Sequence, residues 1–168
     1  MAVNASPNVT SVADAALDAG GVQDLVGYHA RRTALCLIDG FMQAMAPYEL
    51  RPVEFSVLSV VVHNPGATSS QLSHTLNLLP PNVVRLVQRL ERRELLSRRR
   101  DVQDRRAIGL YATPKGAALL KQAHTAAQQS EVQSLAHLSA AEQATLRRLL
   151  RKVYLLNPGR LGVGANRA

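Results

Sequence analysis

Residues Leu78–Gly116 read LLPPNVVRLVQRLERRELLSRRRDVQDRRAIGLYATPKG, and three periodicities change over within them. From Pro81, Val83, Leu86, Val87 and Leu90 recur at helical spacing, with Asn82, Arg85, Gln88, Arg89 and Arg92 on the other face. About Leu95–Arg100 and Ala107–Ala112 read as two short strands; in the second, Ile108, Leu110 and Ala112 alternate with Gly109 and Tyr111. Thr113-Pro114 then supplies an N-cap and a first-turn proline for a helix from Lys115 to about Leu135. Nine arginines lie between Arg85 and Arg106 against the acids Glu91, Glu94, Asp101 and Asp104, leaving +5 in a chain whose net charge is +8. Positive charge gathered on a helix and the hairpin after it is the electrostatic footprint of a duplex-DNA reader.

Upstream of this stretch, Thr68-Ser69-Ser70-Gln71 is a capping box opening a short helix through Leu72 and Leu76. A tight connection joins it to the basic helix, which is the helix-turn-helix pattern. Before it, Pro52–Val62 is apolar almost all round and predicts the buried centre of the domain, with Ser56, Ser59 and His63 as a polar stripe. A long helix from Val22 to about Ala46 carries an apolar band wide enough for contacts on more than one side. Downstream, Ser139-Ala140-Ala141-Glu142 is a second capping box, opening a last helix with Leu146, Leu149, Leu150, Val153 and Leu156 as its stripe. The expected fold is mainly α with a small β-hairpin wing: a winged helix-turn-helix domain at 51–112 and a helical dimerisation module from 22–50 and 113–157. Residues 1–21 read as a mobile arm and 158–168 as a tail.

A chain of 168 residues suffices for this arrangement. A pI near 10.5 favours polyanionic partners. No apolar run approaches the ~20 residues that cross a bilayer, and the N-terminus lacks the pattern of a secretory signal, so a cytoplasmic location without membrane partners is expected. Cys36 is the single cysteine, which excludes an internal disulfide; set between Leu35 and Leu37, it reads as a buried structural thiol. His29, His63, His74, His124 and His137 are scattered without ligand spacing, so neither a metal nor another cofactor is expected. No nucleophile–base pair or phosphate loop appears, and an enzyme is not expected.

The order of elements resembles the MarR family of dimeric winged-helix regulators. The resemblance is carried by Ala46–Leu58, by Val83–Leu96 with its Arg89-Leu90-Glu91 centre, and by Asp101-Val102-Gln103-Asp104-Arg105-Arg106 with Thr113-Pro114-Lys115-Gly116 beginning seven residues after Arg106. It implies a transcription regulator, more often a repressor, that binds a pseudo-palindromic operator in double-stranded DNA as a homodimer. Pro81, Asn82, Arg85 and Arg89 then fall on the reading helix, with Ser69 on the helix before it. Arg98, Arg99 and Arg100 suit phosphates, and Asp104, Arg105 and Arg106 form the wing tip, with Arg106 entering the minor groove. Two departures stand out: Glu94 occupies a position where the family usually has a positive-φ glycine, and Leu79-Pro80-Pro81 is apolar where such regulators often carry Ser or Thr.

The family's effector pocket implies a small-molecule partner, and Tyr28, His29, Arg32, Ser56, Ser59 and His63 are the candidate lining. An arginine beside a tyrosine suits a small aromatic or phenolic acid, although Arg32 pairing with an acid such as Asp39 across the dimer reads equally well. Three rival readings remain at this level: a sequence-indifferent architectural DNA binder, a redox-sensing regulator using Cys36, and a module for anionic membranes or protein partners.

Overall fold

The computed structural model describes residues 20–100 and 108–156. After a 3-10 turn at Gly20–Asp24 come α1 (Val26–Met45), a 3-10 turn at Ala46–Tyr48, α2 (Pro52–His63), α3 (Ser69–Leu76), α4 (Pro80–Arg92), β1 (Leu96–Arg100), β2 (Ile108–Ala112), α5 (Pro114–Ser134) and α6 (Ala140–Leu155). The expected order holds. The first helix starts later than its periodicity suggested, because residues before Leu25 take the tighter 3-10 form. Two compact units divide inside α1, Met1–Ala34 and Leu35–Ala168.

In the second unit the core forms where α2, α3, α4 and the ribbon meet. Val57, Leu58 and Val61 of α2, Leu72 of α3, and Val83, Val87 and Leu90 of α4 are sealed from solvent, with Leu95, Leu96 and Leu110 closing the ribbon side. The helical patterns marked the α3 and α4 positions and the period-2 pattern marked Leu110, but Ile108, expected on the same face of its strand, is 49% exposed while Gly109 is buried. An aromatic contact extends the core outward: Phe41 meets Phe55 edge-on at 5.3 Å, and Phe55 stacks on His124 at 6.4 Å.

The helix ends follow local chemistry. Thr68 and Gln71 exchange both capping-box bonds at α3, and Ser139 and Glu142 do the same at α6. Thr113 Oγ1 accepts from the Gly116 N–H at 3.0 Å to open α5. A Cβ at Gly116 would overlap the Leu95 carbonyl oxygen, so only glycine lets α5 begin this close to the ribbon.

β1 and β2 pair antiparallel with Leu96 opposite Ala112 and Arg100 opposite Ile108. The base of the ribbon is stitched to the α2–α3 loop: Gly66 donates to the Leu110 carbonyl at 2.8 Å, and Leu110 donates back to Ala67 at 2.9 Å. That approach would set a Cβ at Gly109 tightly against the Gly66 backbone, at 3.0 Å, and Gly66 itself has φ of +88°.

Candidate nucleic-acid interface

The turn between α3 and α4 sets the aim of α4. Asn77 ends α3 in the left-handed region at φ 51°, and Leu79 caps α4 from an extended conformation. Prolines occupy the first two positions of α4, where the missing N–H groups would have had no intrahelical partner. With Val83, Val87 and Leu90 buried, the opposite face is presented outward. Pro81, Val84, Arg85 and Gln88 are exposed there, Asn82 is half-buried, and Leu79 is exposed beside them. Ser69 stands half-buried in the first turn of α3.

The described arginines of this region, Arg85 to Arg100, fall into two groups. Arg85, Arg92 and Arg100 are exposed and form no ion pair with another described residue. The others have internal partners. Arg89 Nε lies 3.2 Å from Oε1 of Glu54, a carboxylate that is 98% buried. The alignment is not that of a hydrogen bond, so the contact is an ion pair. Arg93 donates to the carbonyls of Glu49 at 2.6 Å and Tyr48 at 2.8 Å, tying the end of α4 to the α1–α2 linker. Arg98 pairs with Glu91 at 3.1 Å, and the Arg99 guanidinium sits 5.0 Å from the centre of the Tyr111 ring. Tyr111 lies opposite Ser97, so Arg99 reaches it along the ladder diagonal.

Glu94 has φ of 58°, the conformation for which glycine is the usual choice. The Glu94 N–H bonds to the Glu91 carbonyl at 2.8 Å and the Leu95 N–H to the Leu90 carbonyl at 2.9 Å. This is a Schellman turn, with Leu90 and Leu95 both buried. The Glu94 side chain finds Lys115 Nζ at 3.2 Å, and its carbonyl accepts from Thr113 Oγ1 at 2.6 Å. The turn geometry therefore persists without glycine, held from both sides by the start of α5.

Residues 48–107 match the model of the MarR family. A transcriptional regulatory protein for the hcr operon of Thauera aromatica is 30% identical over 136 residues, covering 80% of this chain and 82% of that one. The chain belongs to the MarR family. Among solved MarR-like structures, the repressor CouR bound to a 23-mer DNA duplex is 33% identical with a TM-score of 0.78, covering 83% of this chain and 99% of CouR. The Mycobacterium tuberculosis MarR-family protein Rv2887, solved with salicylic acid, is 26% identical with a TM-score of 0.63, covering 77% and 96%. MarR proteins are transcription regulators and not enzymes, and none of the described helices is long and apolar enough to cross a membrane.

Asp104, Arg105 and Arg106, the expected wing tip, lie outside the described residues. Of the candidate effector residues, Tyr28, His29 and Arg32 come together in the first unit. Arg32 Nη1 donates to the Tyr28 hydroxyl at 3.0 Å, and the Tyr28 and His29 rings meet edge-on at 5.5 Å. Ser56 and His63 belong to the second unit, where Ser56 donates to the Pro52 carbonyl and His63 Nδ1 lies 2.8 Å from the Ser59 carbonyl. One reading is corrected: Cys36 is exposed, not buried. Its flanking leucines suggested burial, but α1 is not enclosed within a single chain, and neighbouring Leu35 is itself 54% exposed.

Two residues escaped the sequence reading. Glu54 sits at the third position of α2, where its Oε2 accepts the Arg51 N–H at 2.9 Å. A glutamate three residues after a helix-opening position is a visible capping signal, but its burial against Arg89 is tertiary. Arg93 looked like one more surface cation, and nothing local marks the carbonyls it binds 44 and 45 residues away.

Proposed function

We propose that this MarR-family chain is a sequence-specific, DNA-binding transcription repressor that acts as a homodimer on a pseudo-palindromic operator. One observation carries the reading: an exposed helix face bearing Arg85, flanked by an arginine ribbon, in a chain that resembles a repressor solved on duplex DNA. On this reading residues 51–112 are the DNA-binding domain, and 22–50 with 113–157 the dimerisation module. Arg85 makes the base contact, worth about 1–3 kcal/mol of discrimination against the wrong base. Exposed Leu79, Pro81 and Val84 meet thymine methyl groups, and Arg100 meets phosphate. Arg106 is assigned to the minor groove on the strength of its motif alone.

The dimer reading is supported by α6. Leu149, Leu150, Val153 and Leu155 stay exposed along a 16-residue helix, and helices in proteins draw most of their stability from a packed apolar face. We assign an aromatic carboxylate as effector, recognised through Tyr28, His29 and Arg32; the salicylic acid complex of Rv2887 supports that class.

The test compares binding to the DNA upstream of the chain's own gene with binding to random DNA at one stated salt concentration. A preference well above one is expected, and a ratio near one would favour the architectural reading. Salicylate titrated into the complex is expected to release the DNA. Continued binding at saturating salicylate would remove the effector assignment while leaving the DNA reading intact.

A further inference from the structure

We infer that Glu54 is a positioning residue for DNA reading, a buried carboxylate that holds Arg89 in place on the reading helix. The inference rests on the DNA-binding function proposed above.

Glu54 does not need its charge to cap α2. Its Oε2 caps α2 by accepting the Arg51 N–H at 2.9 Å, and a neutral glutamine would cap equally well through its amide oxygen. The second oxygen is buried, makes no hydrogen bond, and has Arg89 Nε 3.2 Å away. A carboxylate withdrawn from water is tolerated when a cation compensates it. The charge on Glu54 is therefore explained by Arg89 and not by the cap.

Arg89 supplies the opposite charge. It stands one turn beyond exposed Arg85 on α4, and its own side chain keeps 39% of its surface exposed. It is tethered at Nε yet remains within reach of solvent. A free arginine contributes a mobile positive charge that attracts any phosphate, whereas a held guanidinium gives up less rotamer freedom when it meets a defined acceptor. Glu54 thus lowers sequence-blind attraction and favours the one geometry in which Arg89 fits its site. Neighbouring pairs follow the same pattern: Arg93 is committed to the linker carbonyls and Arg98 to Glu91. Among the described residues of the region, exposed arginines with neither an ion pair nor an aromatic contact are thereby confined to Arg85, Arg92 and Arg100.

The experiment measures affinity for upstream and random DNA across a salt series, using the full-length wild type and Glu54→Gln, with folding checked by circular dichroism. In Glu54→Gln, random-DNA affinity is expected to rise, the salt slope to steepen by about one contact, and the ratio of specific to random affinity to fall about tenfold. A purely structural role for Glu54 would lower stability while leaving slope and ratio as in the wild type. That result in a folded variant overturns the inference. If Glu54→Gln does not fold, Arg89→Lys decides. It keeps the charge without the guanidinium fork, so the ratio is expected to fall with the slope unchanged, and an unaltered ratio overturns the inference. A wild-type ratio near one removes the DNA-reading function and this inference with it. A high wild-type ratio that neither substitution changes removes the inference alone.

Discussion

In the core shared by α2, α3 and α4, Val57, Leu58, Val61, Leu72, Val83, Val87 and Leu90 are wholly sealed from solvent, whereas Leu149, Leu150, Val153 and Leu155 of α6 are each 44–63% exposed. Both regions present apolar helix faces, and among the described residues only the first of them is sealed from solvent. α6 is fastened to the end of α5 by polar bonds: Gln143 donates to the Leu135 and Leu138 carbonyls, and Arg147 pairs with Glu131 at 3.3 Å. The Arg147–Glu131 pair is exposed on both sides and contributes little. A periodic apolar stripe thus identifies a face that will be buried, but not which molecule buries it. The winged helix buries its own apolar faces, whereas the stripe on α6 stays exposed, which is what the proposed dimer would cover.

The sharpest way to break this contrast is to remove the uncovered stripe. Truncation after Leu138, or Leu149→Glu combined with Val153→Glu, is expected to abolish the dimer, as read by sedimentation. A dimer that survives both would mean that α6 is not the interface. The next largest effect lies in the self-contained region. Gly116→Ala drives a methyl group into the Leu95 carbonyl and is expected to cost about 3 kcal/mol or more in urea unfolding. A loss under about 1 kcal/mol would show that α5 can shift away from the ribbon.

Arg89→Ala strands the Glu54 carboxylate and is expected to cost about 2 kcal/mol, less than a fully buried pair because Arg89 is partly solvated. Stability equal to the wild type would mean that water reaches Glu54. At Glu94, glycine relieves the left-handed strain but gains freedom in the unfolded chain and loses the Lys115 pair. Glu94→Gly is accordingly expected to change stability by less than about 1 kcal/mol in urea unfolding, while Glu94→Val, β-branched at positive φ, is expected to destabilise more than glycine does.

The smallest effect is a pH dependence at the start of α6. The Glu142 carboxyl is held below its ordinary value of 4.5 by the Ser139 hydroxyl and, second, by the Ser139 N–H. Its contribution is present above the unfolded value and is lost as pH falls through the lower folded value. Helicity of α6 measured on acidification is expected to fall in the wild type, and Ser139→Ala is expected to blunt that dependence.

Much of the winged helix was legible because its elements are specified locally. Capping boxes at Thr68 and Ser139, the Thr113-Pro114 start, and the stripe from Val83 to Leu90 each act within one or two turns of chain. The left-handed Glu94 was also legible, through a family pattern that expects a glycine there. Cys36 was misread because two leucine neighbours in sequence do not guarantee a covering surface in space. Arg89 and Arg93 resembled the other arginines because charge is visible in a sequence while its partner is not.

The sequence by itself determined where the helices and strands form, which faces are apolar, and that positive charge gathers on α4 and the ribbon. These follow from periodicity, capping and composition, which act over a few residues. Only the tertiary structure decided how that charge is shared. It brings Glu54 of α2 against Arg89 of α4, and the Tyr48 and Glu49 carbonyls against Arg93, across 35 to 45 residues of chain. The physical reason is burial: a carboxylate withdrawn from water requires a cation beside it, and the packing of α2 on α4 selects which arginine serves.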